Sequence, residues 1–520
     1  MPALPRSRPF SAEGRRANLE DMAARRLDVL VVGGGISGAG VALEARRRGY
    51  DVALVEARDF ASGTSSRSSK LVHGGIRYLG QGEVGLVHEA LQERRRLRQM
   101  FPDLVQPLPF LMPIPSARSQ AAMLAAGFWM YDALSVGSGF ERHRRVSAAE
   151  AIHQAPALQA SAIRGAWKYW DARTDDARLT IEVLRRAATR GALAANYAPL
   201  RSAERRDGWW RAEVADELTG SILTVTTRYI VNASGVWAEE VGALAGRADA
   251  EIRPSKGIHL TVSAADLPIR VALAFPVGDG RMLFAIPWHG YVVVGTTDDD
   301  YHGDIAHPQC SPAEAAELLR GVNQFFHLEL GPGAVLSRWA GVRPLVAKGG
   351  SDSKTKDLSR RPFINLAPDG LLTLTGGKLT TFVRMAVDAV DLLPGPRAAA
   401  PESEPLPAPP ESRADAPYLP GAAGYTLADI ERACDHEMAI TLEDALIRRT
   451  RLAFLDTRAA SDAAAPVAQL MAQRLGWESA APQLAQFAHC LERDFGHAAG
   501  VGLAAPGRRN SQRPTERNSA

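Results

Sequence analysis

The sequence predicts an α/β protein in three parts: a Rossmann-like domain, an antiparallel-sheet domain interleaved with it, and a small C-terminal helical domain. Three observations predict this. Over Asp28–Glu56 an apolar run, Val29–Val32, meets Gly33, Gly35 and Gly38, continues as helix-compatible Ala39–Arg48, and gives way to a second apolar run, Val52–Val55, closed by Glu56. Strand, glycine turn, helix, strand and acid in that order describe a mononucleotide-binding unit. From Ile252 to Asp298 the chain is rich in strand patterns, Ile258–Val262, Met282–Trp288 and Tyr291–Thr297, which read as a separate antiparallel sheet. Beyond Pro394–Pro420, rich in Pro, Ala, Glu and Ser and read as a linker, the helical pattern of Leu427–Phe495 begins.

Each part of the first unit has a physical reason. Gly33 permits the tight turn, Gly35 lets backbone N–H groups approach a pyrophosphate, and Gly38 lets the helix lie close on the strand. The helix N-terminus, at Ile36 and Ser37, turns its positive dipole end towards those phosphates. Glu56 follows the turn by about 20 residues, the separation at which a carboxylate grips a ribose hydroxyl. The competing reading of the same residues is a glycine turn that packs helix on sheet without ligand.

Composition bounds the rest. With 520 residues, 46% hydrophobic and 23% charged, the chain can build two or three domains around a large core. A net charge of +3 makes no case for nucleic acid. Cys310, Cys434 and Cys490 lie too far apart in sequence for metal-ligand spacing, so no metal is expected, and they form no disulfide framework, which favours a reducing cytosol. No apolar run is long enough to span a membrane. Residues 1–26 carry Arg6, Arg8, Arg15, Arg16, Arg25 and Arg26 without the apolar stretch of a secretory signal, and Glu13, Glu20 and Asp21 oppose a mitochondrial presequence; they read as a disordered basic leader.

Further along, Gly63–Tyr78 is a run of small hydroxyl residues that buries little apolar surface and offers hydroxyl and backbone donors to a polar ligand; alone it reads equally as a loop. Glu83–Met100 reads as a helix with Val84, Val87 and Leu91 on one face and a basic end, Arg94–Arg98. Ala121–Leu134, with Phe128, Trp129 and Tyr131 and with Arg142, Arg144 and Arg145 beyond it, reads either as a core helix or as a membrane-surface helix. Asp175 and Asp176 suit a helix start, with the helix stopping at Gly191. Trp209–Val214 and Leu223–Thr227 suggest a small β-meander, and Tyr229–Gly235 is a strand running into a second small-residue turn. Leu371–Thr375 is a strand, Gly376-Gly377-Lys378 a turn and Leu379–Val390 a helix, while 506–520 reads as a disordered tail.

These motifs resemble one family. Gly33–Gly38, Thr64–Leu79, Asp175–Leu179, Lys256–His259, Ile286–Trp288, Gly295–Asp298, Gly341–Leu345, Gly376–Thr381 and Arg448–Asp456 stand in the order found in the FAD-dependent glycerol-3-phosphate dehydrogenases of bacterial aerobic type, within the amino-acid-oxidase-like superfamily. The resemblance implies an FAD-binding domain over 27–393, in segments of about 27–120, 170–250 and 335–393, interleaved with a substrate domain at about 251–334. It also implies a linker at 394–420 and a helical domain at 421–500. The helical domain looks shorter than is usual for the family, and no calcium-binding pattern follows Asp456.

The resemblance further implies non-covalent FAD. Its expected contacts are Gly33, Gly35, Ile36, Ser37, Gly38, Glu56, Thr64, Ser65, Ser66, Ser69, Lys70, Leu71, Gly74, Gly75, Ser234, Gly235, Gly376, Gly377, Lys378, Leu379 and Thr380. The implied reaction is oxidation of sn-glycerol 3-phosphate to dihydroxyacetone phosphate, with hydride passing to flavin N5 and electrons to a membrane quinone. Arg77 and Arg343 are expected on the substrate phosphate, since a guanidinium makes paired hydrogen bonds to two oxygens. Tyr78, Lys378 and Thr381 are expected beside them, and Lys378, His73 and His259 are the catalytic candidates, the two histidines as alternative bases. The expected partners include an anionic membrane surface on the cytoplasmic side, with a homodimer left open. An oxygen-using oxidase, an amine or amino-acid oxidase of the same fold, and a non-catalytic flavoprotein stay open as alternatives.

Overall fold

The computed structural model describes residues 8–114, 118–137, 139–159, 163–247, 249–278, 281–346, 361–395 and 416–496. The glycine unit forms as its pattern requires: β1 (Arg26–Val32), a helix at Ile36–Arg47, and β2 (Val52–Val55). β1 runs parallel to Ser221–Asn232 on one side and to β2 on the other, with Leu371–Gly376 and Leu193–Ala195 extending the parallel set outward. Pro362–Leu366 closes one edge antiparallel, and Leu200–Arg206 and Trp209–Asp216 add the meander. Val29, Leu30 and Val31 are fully buried because both faces of this sheet are covered, which is why the strand is apolar at every position rather than alternating. The helix Ile36–Arg47 and the helix Phe382–Asp391 cover one face.

The other face corrects the expected disordered leader. Residues Ala12–Ala24 form α1, capped by the Ser11 side chain, which accepts from the Gly14 N–H. Leu19 and Met22 enter the core beside Leu27 and Leu30, and burial of side chains this size is worth about 1.5–3 kcal/mol each. Arg15, an apparent surface charge, is buried: it pairs with Asp216 at 2.5 Å and donates from Nε to the Asn196 carbonyl at 2.7 Å. The glycine-unit helix Ile36–Arg47 is therefore α2.

The second sheet is mostly antiparallel and larger than the expected 251–334. Its centre is Ile252–Ser263, Tyr291–Gly295, Met282–Trp288 and Ala272–Pro276. It also takes in Gln106–Pro113, Ala166–Arg173, Arg144–Val146 and Val335–Val346. The pairing that annexes them is non-local: Phe110 stands opposite Tyr169 on one side and Ala272 on the other. In chain order α3 (Val84–Met100) precedes the strand Gln106–Pro113, and α4 (Arg118–Leu134) lies between that strand and its antiparallel partner Ala166–Arg173.

The C-terminal helices, Leu427–His436 through Ala481–Phe495, enclose their own core of Ile430, Leu446, Phe454 and Val467. They are keyed to the rest by desolvated charges. Asp59, just past β2, takes Arg448 Nε at 2.5 Å and Arg449 Nη1 at 2.8 Å on one oxygen, and Arg449 Nη2 at 2.9 Å and Asn196 at 3.1 Å on the other. Arg451 grips Asp175 with two donors at 2.7 Å, Arg178 pairs with Glu437, and Arg67 pairs with Asp494 at 3.0 Å. The expected linker 394–420 falls outside the described residues from 396 to 415, and the expected tail 506–520 falls wholly outside them.

This seam yields a stability prediction. Burial pushes the Asp59 carboxyl up, but the Arg449 and Arg448 guanidiniums outweigh it and hold the group at about 2, below its ordinary 3.8. Its contribution is thus complete above pH 3.8 and is lost as pH falls towards 2. Asp59→Ala strands Arg449 without a carboxylate, at an expected cost of about 3–5 kcal/mol at neutral pH. A denaturant midpoint equal to that of the unaltered protein would show that the seam does not hold the domains.

Candidate functional site

The turn between β1 and α2 is as tight as its glycines allow. Gly33 has φ +114°, and a Cβ there would lie 2.6 Å from the Ala233 carbonyl oxygen. A Cβ at Gly38 would lie 1.9 Å from the Gly33 carbonyl oxygen, so α2 backs directly onto the end of β1. Gly35 caps α2 with no side chain, leaving the helix N-terminus accessible, and Ser65 Oγ accepts from the Ile36 N–H at 2.9 Å. Glu56 accepts from the Gly34 N–H at 2.6 Å and the Arg58 N–H at 2.9 Å while its carboxylate lines the adjoining cavity; burial pushes its pKa up against those two donors.

That cavity, about 570 Å³, joins the glycine turn to a cluster of cations. Gly33, Gly35, Ile36, Ser37, Glu56, Thr64 and Ser65 line it on the turn side, with Ser234 and Gly235 from the end of the neighbouring strand. The same cavity is lined by Ser69, Leu71, His73, Gly75, Arg77, Tyr78, His259 and Arg343, and by Gly376, Gly377, Lys378, Leu379 and Thr380. Sequence positions more than 300 apart thus share one wall.

The cation cluster has defined geometry. Two cations lie over the Tyr78 ring: Arg77, whose Cζ is 5.0 Å from the ring centre, and Lys378, whose Nζ is 4.1 Å from it. Arg77 Nη2 donates to the Tyr78 hydroxyl at 3.1 Å. Lys378 is presented by Gly376 and Gly377, both left-handed at φ +77° and +73°, and is followed by the short turn Leu379–Thr381 that opens the helix Phe382–Asp391. Arg343 donates to the Thr297 carbonyl at 3.1 Å, to Asp298 at 3.3 Å and to Thr296 Oγ1 at 3.1 Å, so its plane is fixed. His259 stacks on Trp339 with ring centres 5.2 Å apart, and its Nε2 is 2.9 Å from Ser69 Oγ. Burial first, then the Arg343 and Lys70 charges, lower its pKa well below 6.5, so it is neutral. His73 is held by its backbone N–H, which donates to Thr380 Oγ1 at 3.2 Å.

Five expected contact residues lie behind the wall instead of on it. Gly38 is filled by the Gly33 carbonyl. Ser66 is buried, and its carbonyl accepts from Lys70 Nζ. Lys70 is wholly buried and ion-paired with Asp176 at 2.7 Å, so its charge holds the loop together. The Gly74 N–H is spent on Asp171 Oδ1 at 3.0 Å. Thr381 is buried, its hydroxyl donating to the Lys378 carbonyl at 3.3 Å. In this loop, a short 3-10 turn at Thr64–Ser66 followed by irregular backbone, Thr64, Ser65 and Ser69 face the cavity while Ser66 and Lys70 face inward. Residues that the sequence did not single out also line the cavity: Phe110, Met112, Met282 and Phe284 form an apolar wall, and Arg58 stacks over Trp237 at 5.3 Å. Their local signal is only alternation within strands.

Residues 28–382 match the sequence model described as FAD dependent oxidoreductase, and residues 404–481 match that of the C-terminal domain of alpha-glycerophosphate oxidase. The aerobic glycerol-3-phosphate dehydrogenase of Staphylococcus saprophyticus is 38% identical over 72% of this chain and 68% of its own length. The chain belongs to the FAD-dependent glycerol-3-phosphate dehydrogenase family. The glycerol-3-phosphate dehydrogenase of Mycobacterium leprae is 40% identical over 74% of this chain, but the match spans 66% of that protein, slightly under two thirds. The solved structure of the glycerol-3-phosphate dehydrogenase from Bacillus halodurans, complexed with FAD, covers 93% of this chain and 98% of its own at 27% identity and a TM-score of 0.72.

The cofactor of this family is FAD, and the residues present fit it. A turn closed by backbone at Gly33 and Gly38, a helix N-terminus whose cap, Gly35, carries no side chain, and a carboxylate at the end of β2 surround a single cavity that continues to Lys378. An elongated, doubly negative dinucleotide needs those three features in that order.

Proposed function

We propose that this chain oxidises sn-glycerol 3-phosphate to dihydroxyacetone phosphate and delivers the electrons to a membrane quinone. The observation that carries the reading is that Arg77, Lys378 and Arg343 line the cavity on which the glycine turn also opens. Bound non-covalently, FAD would supply the two-electron acceptor. The chain's own residues do the rest. A phosphate dianion needs more than one cation, and two guanidiniums with an ammonium satisfy it in a partly dehydrated site. The Tyr78 hydroxyl, already aligned by Arg77, offers a further contact. Lys378 is placed to polarise the C2 oxygen or share the phosphate. The C2 hydroxyl proton goes to His259 or His73; burial and the Arg343 and Lys70 charges keep His259 unprotonated before reaction and also make it a weak base. The Phe110, Met112 and Phe284 wall excludes water from the same space.

A second reading, oxygen as acceptor, is favoured by the match of residues 404–481 to an alpha-glycerophosphate oxidase domain. Hydrogen peroxide formed at full rate without quinone would select it.

The surface of α4 supports attachment to a membrane. Its inner face buries Phe128 and Tyr131, whereas Trp129 is 66% and Met123 69% exposed, with Met130 and Val136 exposed alongside. No helix among the described residues is long and apolar enough to cross a bilayer. Arg98 donates to the Gly139 carbonyl at 2.7 Å, which brings the end of α3 beside this patch, and Arg142, Arg144 and Arg145 are exposed beyond it. Arg94 is not part of the patch, being buried against Asp171. Aromatic and aliphatic insertion and a basic rim, each cation adding about 1 kcal/mol near anionic lipid, describe a peripheral attachment to the cytoplasmic leaflet.

Two outcomes are expected. Arg343→Lys keeps the charge and loses the paired geometry, so KM for glycerol 3-phosphate rises roughly tenfold or more while FAD stays bound; an unchanged KM would make Arg343 a structural residue. Trp129→Glu, on an exposed position, leaves flavin content and folding intact and weakens sedimentation with anionic vesicles, as does added salt. Vesicle binding that ignores both the substitution and salt would exclude α4 as the contact.

A further inference from the structure

We propose that Asp171 is a positioning residue for the substrate-side loop His73–Tyr78, acting through the Gly74 N–H, and that Arg94 and Tyr131 in turn fix Asp171. The inference rests on the reading of Arg77 as a phosphate contact.

Asp171 lies on the strand Ala166–Arg173, is 3% exposed, and borders the cavity. Three donors converge on its Oδ1: the Gly74 N–H at 3.0 Å, the Tyr131 hydroxyl at 2.8 Å and Arg94 Nη1 at 2.5 Å. Each comes from a different part of the chain: the loop, α4 and α3. Arg94, fully buried, is itself aimed by bonds to the Trp170 carbonyl at 2.8 Å and Ser135 Oγ at 3.0 Å. Burial, with Asp171 beside it, pushes the Tyr131 pKa well above 10, so the phenol remains a donor at neutral pH. A carboxylate so enclosed, with three donors on one oxygen, makes a stiff anchor for the Gly74 N–H.

The loop has no slack at this point. A Cβ at Gly74 would lie 2.4 Å from the Tyr131 hydroxyl and 2.5 Å from Leu91 Cδ2, so the backbone is pressed against α3 and α4. One residue earlier His73 is pinned by Thr380, and one residue later Gly75 turns left-handed at φ +75°. Arg77 and Tyr78 follow at once. With the loop held at His73 and Gly74 and redirected at Gly75, the position of the Arg77 guanidinium is set by Asp171. Loosening that hold weakens ground-state and transition-state binding of the phosphate together, which raises KM and leaves kcat nearly unchanged.

The test compares the flavin-loaded full chain with Tyr131→Phe, Asp171→Asn and, as a control at a buried hydroxyl outside this network, Thr457→Val, whose Oγ1 donates to the Leu336 carbonyl at 3.0 Å. Tyr131→Phe removes one hydroxyl and keeps the Asp171–Arg94 pair. Two readouts are taken: hydrogen exchange of peptides covering His73–Tyr78, and steady-state KM and kcat for glycerol 3-phosphate. Faster loop exchange and a roughly tenfold rise in KM at near-constant kcat are expected for Tyr131→Phe, and a larger rise for Asp171→Asn; Thr457→Val is expected to change neither. Should Asp171→Asn lose its flavin, Tyr131→Phe still decides. Unchanged loop exchange in Tyr131→Phe overturns the inference, and so does faster exchange with unchanged KM. Failure of the unaltered protein to oxidise glycerol 3-phosphate would count against the substrate reading instead, and loop exchange would still judge the anchor.

Discussion

The contact on which the rest of this structure depends is the one between the backbone of α2 and the end of β1. With only 1.9 Å between a hypothetical Gly38 Cβ and the Gly33 carbonyl oxygen, any side chain at Gly38 would lift the helix off the sheet. Held this close, the N-terminus of α2 opens at the carboxyl end of β1, where Glu56 on one neighbouring strand and Ser234-Gly235 on the other also arrive. An open parallel sheet binds its ligand there because strand ends and helix N-termini converge at that edge alone. The long cavity and the placement of Lys378 at its far wall follow from that edge, since the strand before Lys378 pairs directly with Ser221–Asn232.

Charge does a different task on the other side of the loop that lines the cavity. Lys70–Asp176, Arg67–Asp494, Arg451–Asp175 and Arg449–Asp59 are all buried or nearly so. Pairs of this kind contribute little net stability against an apolar core of the same shape, yet are costly to break singly. Their effect here is specification. They allow one docking of the C-terminal helices, and with it one conformation of residues 59–70, so that Ser65 and Ser69 face the cavity. Arg77, Arg343 and Lys378, which line the cavity, stand outside this seam.

Much of this was legible in the sequence because it is local. The β1–α2–β2 unit carries its own pattern of apolar runs and glycines, and the helix Asp176–Thr189 carries its cap, Asp175. What was not legible depends on distant partners. Arg15 reads as a solvent-facing charge until Asp216 is brought against it, and the leader that looked disordered is a helix for that reason. The second sheet exceeds its expected range because Phe110 pairs with Ala272, which no window of sequence contains. Within Thr64–Leu71 the composition announces a polar loop but not which hydroxyl faces which way; that is set by Asp176 and the C-terminal helices. The motif resemblance implied a cofactor contact for Gly74, whereas its N–H goes to Asp171, a destination that required three segments to be placed together.

Central to the proposed function is that Arg77, Arg343 and Lys378 select a phosphorylated alcohol for oxidation by bound FAD. The most direct measurement is anaerobic titration of the purified flavoprotein, following loss of the visible flavin absorbance with glycerol 3-phosphate, glycerol and a set of amino acids. The account predicts bleaching by glycerol 3-phosphate at near-stoichiometric amounts and none by glycerol or amino acids. Bleaching by an amino acid with glycerol 3-phosphate inert would contradict it.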